Sequence, residues 1–349
     1  MERFDERDVI FSRMEYAEQS PEYKDYYKRN PHKKDIDAEL REMPQLGGPG
    51  TATYDPVNSP IFGACFQFLG DIAKLSQGAV ASEKAELDAE TMTQRIKGLA
   101  KFFRADLVGI AQMQEHHYYS HRGRRPEVYG QEVKDFHKYG IVFAVEMDRD
   151  MIYRAPQLPE AVAVARGYMD VSVLGMVLAY YIRQLGYQAR NHMEGSYLVL
   201  APPLARDAGL GEMGRNGLLV TPQFGPRVRL GVVTTDLPLQ ADGPVDYGIS
   251  EFCTECEKCV KTCPGMCIPA GEPQGERWKI NPEECYRKWR ALGTDCGICL
   301  ATCPFSDDIP QELLAKIKDS SSARAEILRR HEERHGDIRP YIKEKPDWL

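Results

Sequence analysis

Apolar residues fall at helical spacing over residues 86–104, where Leu87, Met92, Ile96, Leu99 and Phe103 lie near one face. The run Ala105-Asp-Leu-Val-Gly-Ile-Ala111 reads as a buried strand, and Ile141-Val-Phe-Ala-Val-Glu146 as a second. The longest helical pattern covers residues 159–186 and stops at Leu185-Gly186, glycine being a common C-terminal stop. Within it Tyr168, Ser172, Gly175 and Ala179 share one face, small residues below a single tyrosine. Such a face lets a neighbouring strand pack closely or a broad, flat ligand approach, and the pattern favours the strand. Leu218-Leu-Val-Thr221 predicts a short strand. Gly225–Asp236 predicts a longer one, with Arg227 and Arg229 on one face of a solvated edge. Residues 1–60 are polar and loop-rich, ending in Gly47-Gly48-Pro49-Gly50, and should wrap a core without forming one. From Gln311 onward the chain reads as a charged helix plus loop, with Arg329-Arg330 on a solvated face. The boundaries expected are a wrapping segment at 1–85, an α/β core at 86–248, a cysteine-rich unit at 249–310 and a helical tail at 311–349.

Composition changes this picture little. The 349 residues suffice for a substantial core, and 42% hydrophobic with 28% charged residues suit a soluble globular chain. A net charge of -7 weighs against a nucleic-acid partner. The longest apolar run, Ser172–Ile182, is too short to span a bilayer, and Met1-Glu-Arg-Phe-Asp-Glu-Arg-Asp has no signal-peptide core. The expectation is a cytoplasmic protein as written, or an exported, membrane-associated one if a twin-arginine leader was removed.

The chemistry concentrates in the cysteines. Cys253, Cys256, Cys259 and Cys263-Pro264 follow the C-x2-C-x2-C-x3-C-P spacing that holds bacterial iron–sulfur clusters. Cys285, Cys296, Cys299 and Cys303-Pro304 supply four more thiols. In two-cluster modules the fourth cysteine of each run crosses to the other cluster. One [4Fe–4S] cluster is therefore assigned Cys253, Cys256, Cys259 and Cys303, the other Cys263, Cys285, Cys296 and Cys299. Zinc takes four ligands without this interlock, and disulfides suit small secreted chains.

Three other motifs carry weaker signals. His116, His117 and His121 lie in a loop after a strand, which reads as pocket-lining in preference to a metal site. Asp135-Phe-His137-Lys-Tyr-Gly140 matches the D-x-H-x-x-G of enzymes that ligate cobalamin through His. Its downstream partners are out of place, so it reads as a strand lead-in. Gly209, Gly211 and Gly214 spell G-x-G-x-x-G, but a strand follows where a dinucleotide site needs a helix. A loop presenting backbone amides to another large ligand stays open.

Taken together, residues from about Phe102 to Phe305 resemble the corrinoid-dependent reductive dehalogenases. The resemblance rests on Ala105–Ala111, Tyr139–Asp148, Leu185-Gly-Tyr187, Ala208–Leu219, Phe224–Arg229 and both cysteine runs. It implies an α/β, nitroreductase-like core cradling base-off cobalamin, with a two-[4Fe–4S] ferredoxin-like domain docked against it. By position, Tyr168 matches the family's proton-donating tyrosine and Arg229 its basic neighbour, which should make the phenol a better acid. Gly209, Gly211, Gly214 and Asn216 would help hold the corrinoid, with Ser172 and Gly175 beneath it, and Tyr118 and Tyr119 would wall an apolar substrate. The implied reaction removes halide from an aryl or alkenyl organohalide. An external ferredoxin, flavodoxin or membrane quinol system supplies the electrons, and a homo-oligomer is compatible. Two rivals stand beside this: an epoxyqueuosine reductase-like enzyme acting on tRNA, with His121–Arg125 as its basic face, and a non-catalytic iron–sulfur electron carrier.

Overall fold

The apolar runs pair into a sheet whose two faces are both buried. A computed structural model describes residues 3–134, 136–275, 277–336 and 338–349. Its strands are β1 (Leu107–Gln112), β2 (Tyr139–Glu146), β3 (Ala189–His192), β4 (Glu212–Met213), β5 (Leu219–Val220) and β6 (Val228–Thr235). Four of them form one sheet in the order β1-β2-β6-β3, every neighbour antiparallel, while β4 and β5 make a small hairpin.

Helices α1 (Ile10–Glu15), α2 (Pro21–Arg29), α3 (Lys34–Glu42), α4 (Pro60–Ile72) and α5 (Ala89–Phe102) precede the sheet. Next come α6 (Arg149–Ile152), α7 (Leu158–Gln184) and α8 (Ala201–Asp207). The cysteines ride on or beside α9 (Ile249–Cys256), α10 (Lys258–Thr262), α11 (Pro282–Leu292) and α12 (Ile298–Ala301), and the chain closes with α13 (Gln311–Leu314) and α14 (Ser321–His335).

Side chains alternate across a strand, so Ile141, Phe143 and Val145 of β2 face α5 and α7 while Val142 and Ala144 face α8. Leu178 and Ile182 of α7 are fully buried in the first layer, each contributing about 1.5–3 kcal/mol. By length and composition α7 could cross a bilayer, contrary to the short-run expectation, yet 61% of its apolar window is buried inside the protein. The small-residue face of α7 serves the sheet: a Cβ at Gly175 would stand 2.2 Å from Asn191 Oδ1 of β3 and 3.2 Å from the Phe143 ring. Asn191 Nδ2 in turn donates to the Ser172 carbonyl at 3.0 Å.

Two expectations fail. Residues 1–60 fold into helices and do build a core. Ile10 and Leu40 pack with Tyr286, flanked by Trp289, and Tyr16, Tyr26 and Tyr27 form a cluster of their own. A few charges of this segment are buried, Arg13 pairing with Asp37 and, at 2.8 Å, with Glu283 of α11. Nor is the Arg227–Arg229 stretch a solvated edge. β6 lies between β2 and β3, and Arg227 is 4% exposed, held by Glu146 Oε1 at 2.6 Å and the Ser306 carbonyl at 2.9 Å. The tail matches its expectation, Arg329 and Arg330 pairing with Glu326 on an exposed helix face.

Candidate functional site

The two cysteine runs fold around their own sulfurs. α9 carries Cys253 and Cys256. The chain then turns sharply at Glu257 (φ 49°), so that α10 presents Cys259. In the second run Cys296 (φ 69°) and Gly297 (φ 60°) make the equivalent turn into α12. Cys303 comes back to Cys253, Cys256 and Cys259, and these four line a shared cavity. Cys299 lies near Cys296, Cys285 and Cys263 and also near Cys259 of the first run, so the two cysteine runs sit side by side.

Burial, with added repulsion between neighbouring sulfurs, pushes the thiols of Cys256 and Cys259 up to about 12 and that of Cys285 to about 11. Eight half-buried cysteines brought together from two runs form a donor set suited to metal–sulfur centres. Sequence reasoning missed Cys267, a buried thiol beside Cys263 and Cys285 whose backbone N–H donates to Cys263 Sγ at 3.3 Å.

The second set abuts a cluster of polar groups on α7 and β6. The Arg229 guanidinium lies 4.0 Å over the face of the Tyr168 ring, and Phe66 of α4 packs 5.5 Å from the same ring. Arg229 Nε is buried with no acceptor among the described residues, while Nη2 donates to Met147 Sδ at 3.7 Å. Burial raises the Tyr168 phenol pKa, and Arg229 lowers it without overcoming that rise. This corrects the expectation of a more acidic phenol. Stacking puts the cation over the ring and not at the hydroxyl, so its pull is partial.

Two further carboxyls converge here. Glu160 opens the apolar start of α7, and Asp295 precedes Cys296. Burial first, then Asp295, pushes the Glu160 carboxyl well above its usual range. Gly297 makes the space, since a Cβ there would stand 2.2 Å from Glu160 Oε1. The signal for Glu160 was a lone carboxylate within Leu158–Ala165. Asp295 had no signal at all.

Other assigned residues lie elsewhere. Tyr118 is a core residue on the α8 face, 1% exposed, its hydroxyl accepting from the His137 N–H at 3.1 Å. It does not wall a substrate beside Tyr168. Tyr119 sits 6.0 Å behind the ring of Tyr197, whose phenol feels Tyr168. The unforeseen wall is Tyr197 with Arg124, which donates to its hydroxyl at 3.0 Å and pairs with Glu194 at 2.6 Å. Arg124 is therefore turned inward and does not join a basic face.

Gly211 and Gly214 exist for the hairpin, because Cβ atoms there would stand 2.3 Å from the Val220 carbonyl oxygen and 2.6 Å from the Val220 side chain. Gly209 adopts φ +77° against the Gly243 carbonyl, and Asn216 lines the first cysteine cavity. Gly175 is closed by β3. At the four glycines the chain itself takes the space a side chain would need. Ser172 differs, since its hydroxyl is buried without a partner.

His116, His117 and Asp207 place ligand atoms within 4.8 Å of one another. Nonetheless His117 Nδ1 accepts the Gln114 N–H at 3.0 Å, so its proton sits on Nε2 and donates to Asp207 at 2.9 Å. A metal at Nε2 would need that proton moved to Nδ1, against the N–H already there. The motif at Asp135 lies partly outside the described residues. Its His137 leads into β2 as expected, with Nδ1 2.8 Å from the Thr234 hydroxyl.

No family model matches the chain. The tetrachloroethene reductive dehalogenase of Dehalobacter restrictus is 31% identical over 268 residues, 62% of this chain and 48% of that protein. The epoxyqueuosine reductase of Lactococcus garvieae is 35% identical over 115 residues, 30% of this chain and 32% of that one. Among solved structures, a tagged variant of the catabolic reductive dehalogenase NpRdhA superposes with a TM-score of 0.78 at 25% identity, covering 98% of this chain and 48% of that one. The chain spans about half the length of these dehalogenases. Across that half the chain is similar in sequence and in fold to the reductive dehalogenases, and over a shorter stretch of sequence to epoxyqueuosine reductase.

Proposed function

We propose that this chain is the electron-transfer and catalytic part of a reductive dehalogenase, replacing halogen by hydrogen on an aryl or alkenyl carbon. The observation that carries the reading is adjacency. The half-buried cysteine runs end, through Asp295 and Cys296, beside the Tyr168–Arg229 pair, in which Arg229 Nε is buried without a partner among the described residues. Cys253, Cys256, Cys259 and Cys303 would hold one [4Fe–4S] cluster, and Cys263, Cys285, Cys296 and Cys299 the other. The unpartnered Arg229 Nε and Ser172 hydroxyl suit a further polar ligand beside Tyr168. A corrinoid bound there would supply strong reducing power, matched by cluster potentials that reach about −700 mV.

The chain's own residues do the rest. The raised pKa keeps the Tyr168 O–H protonated at neutral pH, ready to give one proton to carbon. Once the proton leaves, Arg229 stabilises the phenolate it already covers. Phe66 packs on the Tyr168 ring and helps hold it in place. Asp170, two residues on from Tyr168 and the candidate carboxylate donor of the tRNA-directed alternative, is instead paired with Arg166 on an open helix face.

The test is anaerobic reconstitution with iron, sulfide and cobalamin. About eight irons and about one cobalt per chain are expected, with halide release from chlorinated or brominated phenols or ethenes under a strong chemical reductant. Stoichiometric zinc, or iron without bound cobalt and without halide release, overturns the proposal.

A further inference from the structure

Arg215 is assigned no part in the chemistry above. It lies in the connection between β4 and β5, is 1% exposed, and lines the cavity of the first cysteine set. Nε and Nη2 donate to the Cys253 carbonyl at 2.9 and 2.7 Å, and Nη1 donates to the Pro269 and Gly271 carbonyls at 3.0 and 2.7 Å. Trp278 covers the guanidinium face at 4.7 Å. The carboxylate paired with it, Glu257 at 3.5 Å, stands at the rim and already accepts the Gly271 N–H at 2.8 Å. Carbonyl partners fix the guanidinium without cancelling its charge. Its field acts on Cys253, Cys256 and Cys259, whereas the second set faces the carboxyls of Glu160 and Asp295 at Cys296.

Reducing a cluster adds negative charge, and a buried cation nearby favours the reduced form. We propose that Arg215 is a positioning residue that holds the first cluster's reduction potential above the second's, by a buried positive charge beside three of its four sulfurs. The first cluster then stores an electron, and the second, which abuts the Tyr168 site, passes it on. This rests on the cluster reading above.

Redox titration of the reconstituted protein, followed by electron paramagnetic resonance, tests it. R215Q is expected to keep its iron and to lower the reduced-to-oxidised ratio of one cluster at a fixed poise by at least about threefold, leaving the other unmoved. E257Q, which removes the rim carboxylate and keeps an acceptor for Gly271, should raise that same ratio. If R215Q loses iron, E257Q decides alone, a rise supporting the inference and no rise overturning it. Unmoved ratios in an iron-replete R215Q, or equal shifts of both clusters, also overturn it. A wild-type protein with no cluster signal sinks the parent reading instead.

Discussion

Tyr168 sits where a proton donor is useful only if it can keep its proton until needed. Burial secures that, and the stacked Arg229 makes the later loss affordable. Tyr168→Phe keeps the ring that Arg229 and Phe66 pack on and deletes only the hydroxyl. It should cost at least about a hundredfold in halide release, within the usual range for general-acid catalysis, with iron and cobalt contents unchanged. Wild-type turnover in that variant would remove the phenol from the mechanism. Gly175 makes the opposite kind of point, since its importance is steric. Gly175→Ala would drive a methyl into Asn191 and Phe143, and should lower stability by about 1–3 kcal/mol in denaturant unfolding.

Elements dock through few side chains, and α14 does so partly through a histidine. His331 is 3% exposed, with neither ring nitrogen hydrogen-bonded, and burial lowers its pKa to about 4. A base with a depressed native pKa leaves the unfolded state binding more protons, so stability is full above the ordinary value of about 6.5 and is lost as pH falls towards 4. Stability between pH 7 and pH 4 should therefore drop by at most about 3 kcal/mol through this residue, and His331→Leu should flatten that part of the profile. A variant with an unchanged profile would show that the ring is solvated in solution.

In the whole molecule, the N-terminal helices and the cysteine unit are joined through buried charge. Arg13 bridges Asp37 of α3 and Glu283 of α11, and Lys33 adds a 2.6 Å contact to the same glutamate. Burial raises the Glu283 pKa, but Lys33 and Arg13 outweigh it, and the net shift is downward. That stability is present above the ordinary carboxylate value of about 4.3 and is lost as pH falls through the lower native one. Arg13→Met leaves Asp37 without its buried cation and Glu283 with Lys33 alone, and should cost about 3–5 kcal/mol by thermal or denaturant unfolding. Iron chelation from the reconstituted protein should destabilise the cysteine unit before the sheet, seen as earlier amide exchange in α9–α12 than in β2 and β6.

Sequence alone determined what is local in the chain. Cysteines with two residues between them can aim at a common centre from one tight turn, so their spacing marked the metal–sulfur region, and the two-cluster pattern supplied the expected crossing. The 3.6-residue period carried α5 and α7, and the apolar runs carried β1, β2 and β6. Tertiary structure alone decided which polar residues meet. Tyr168, Arg229, Glu160 and Asp295 come from distant segments, and only the packing of α7 on β6 and of the Asp295–Gly297 turn on α7 brings them together. It also decided that Arg227 is buried, because β6 took a central place, and that the glycines of residues 209–214 make room for the chain's own backbone. Periodicity reports that a face will be covered. The partner covering it depends on contacts between residues far apart in sequence.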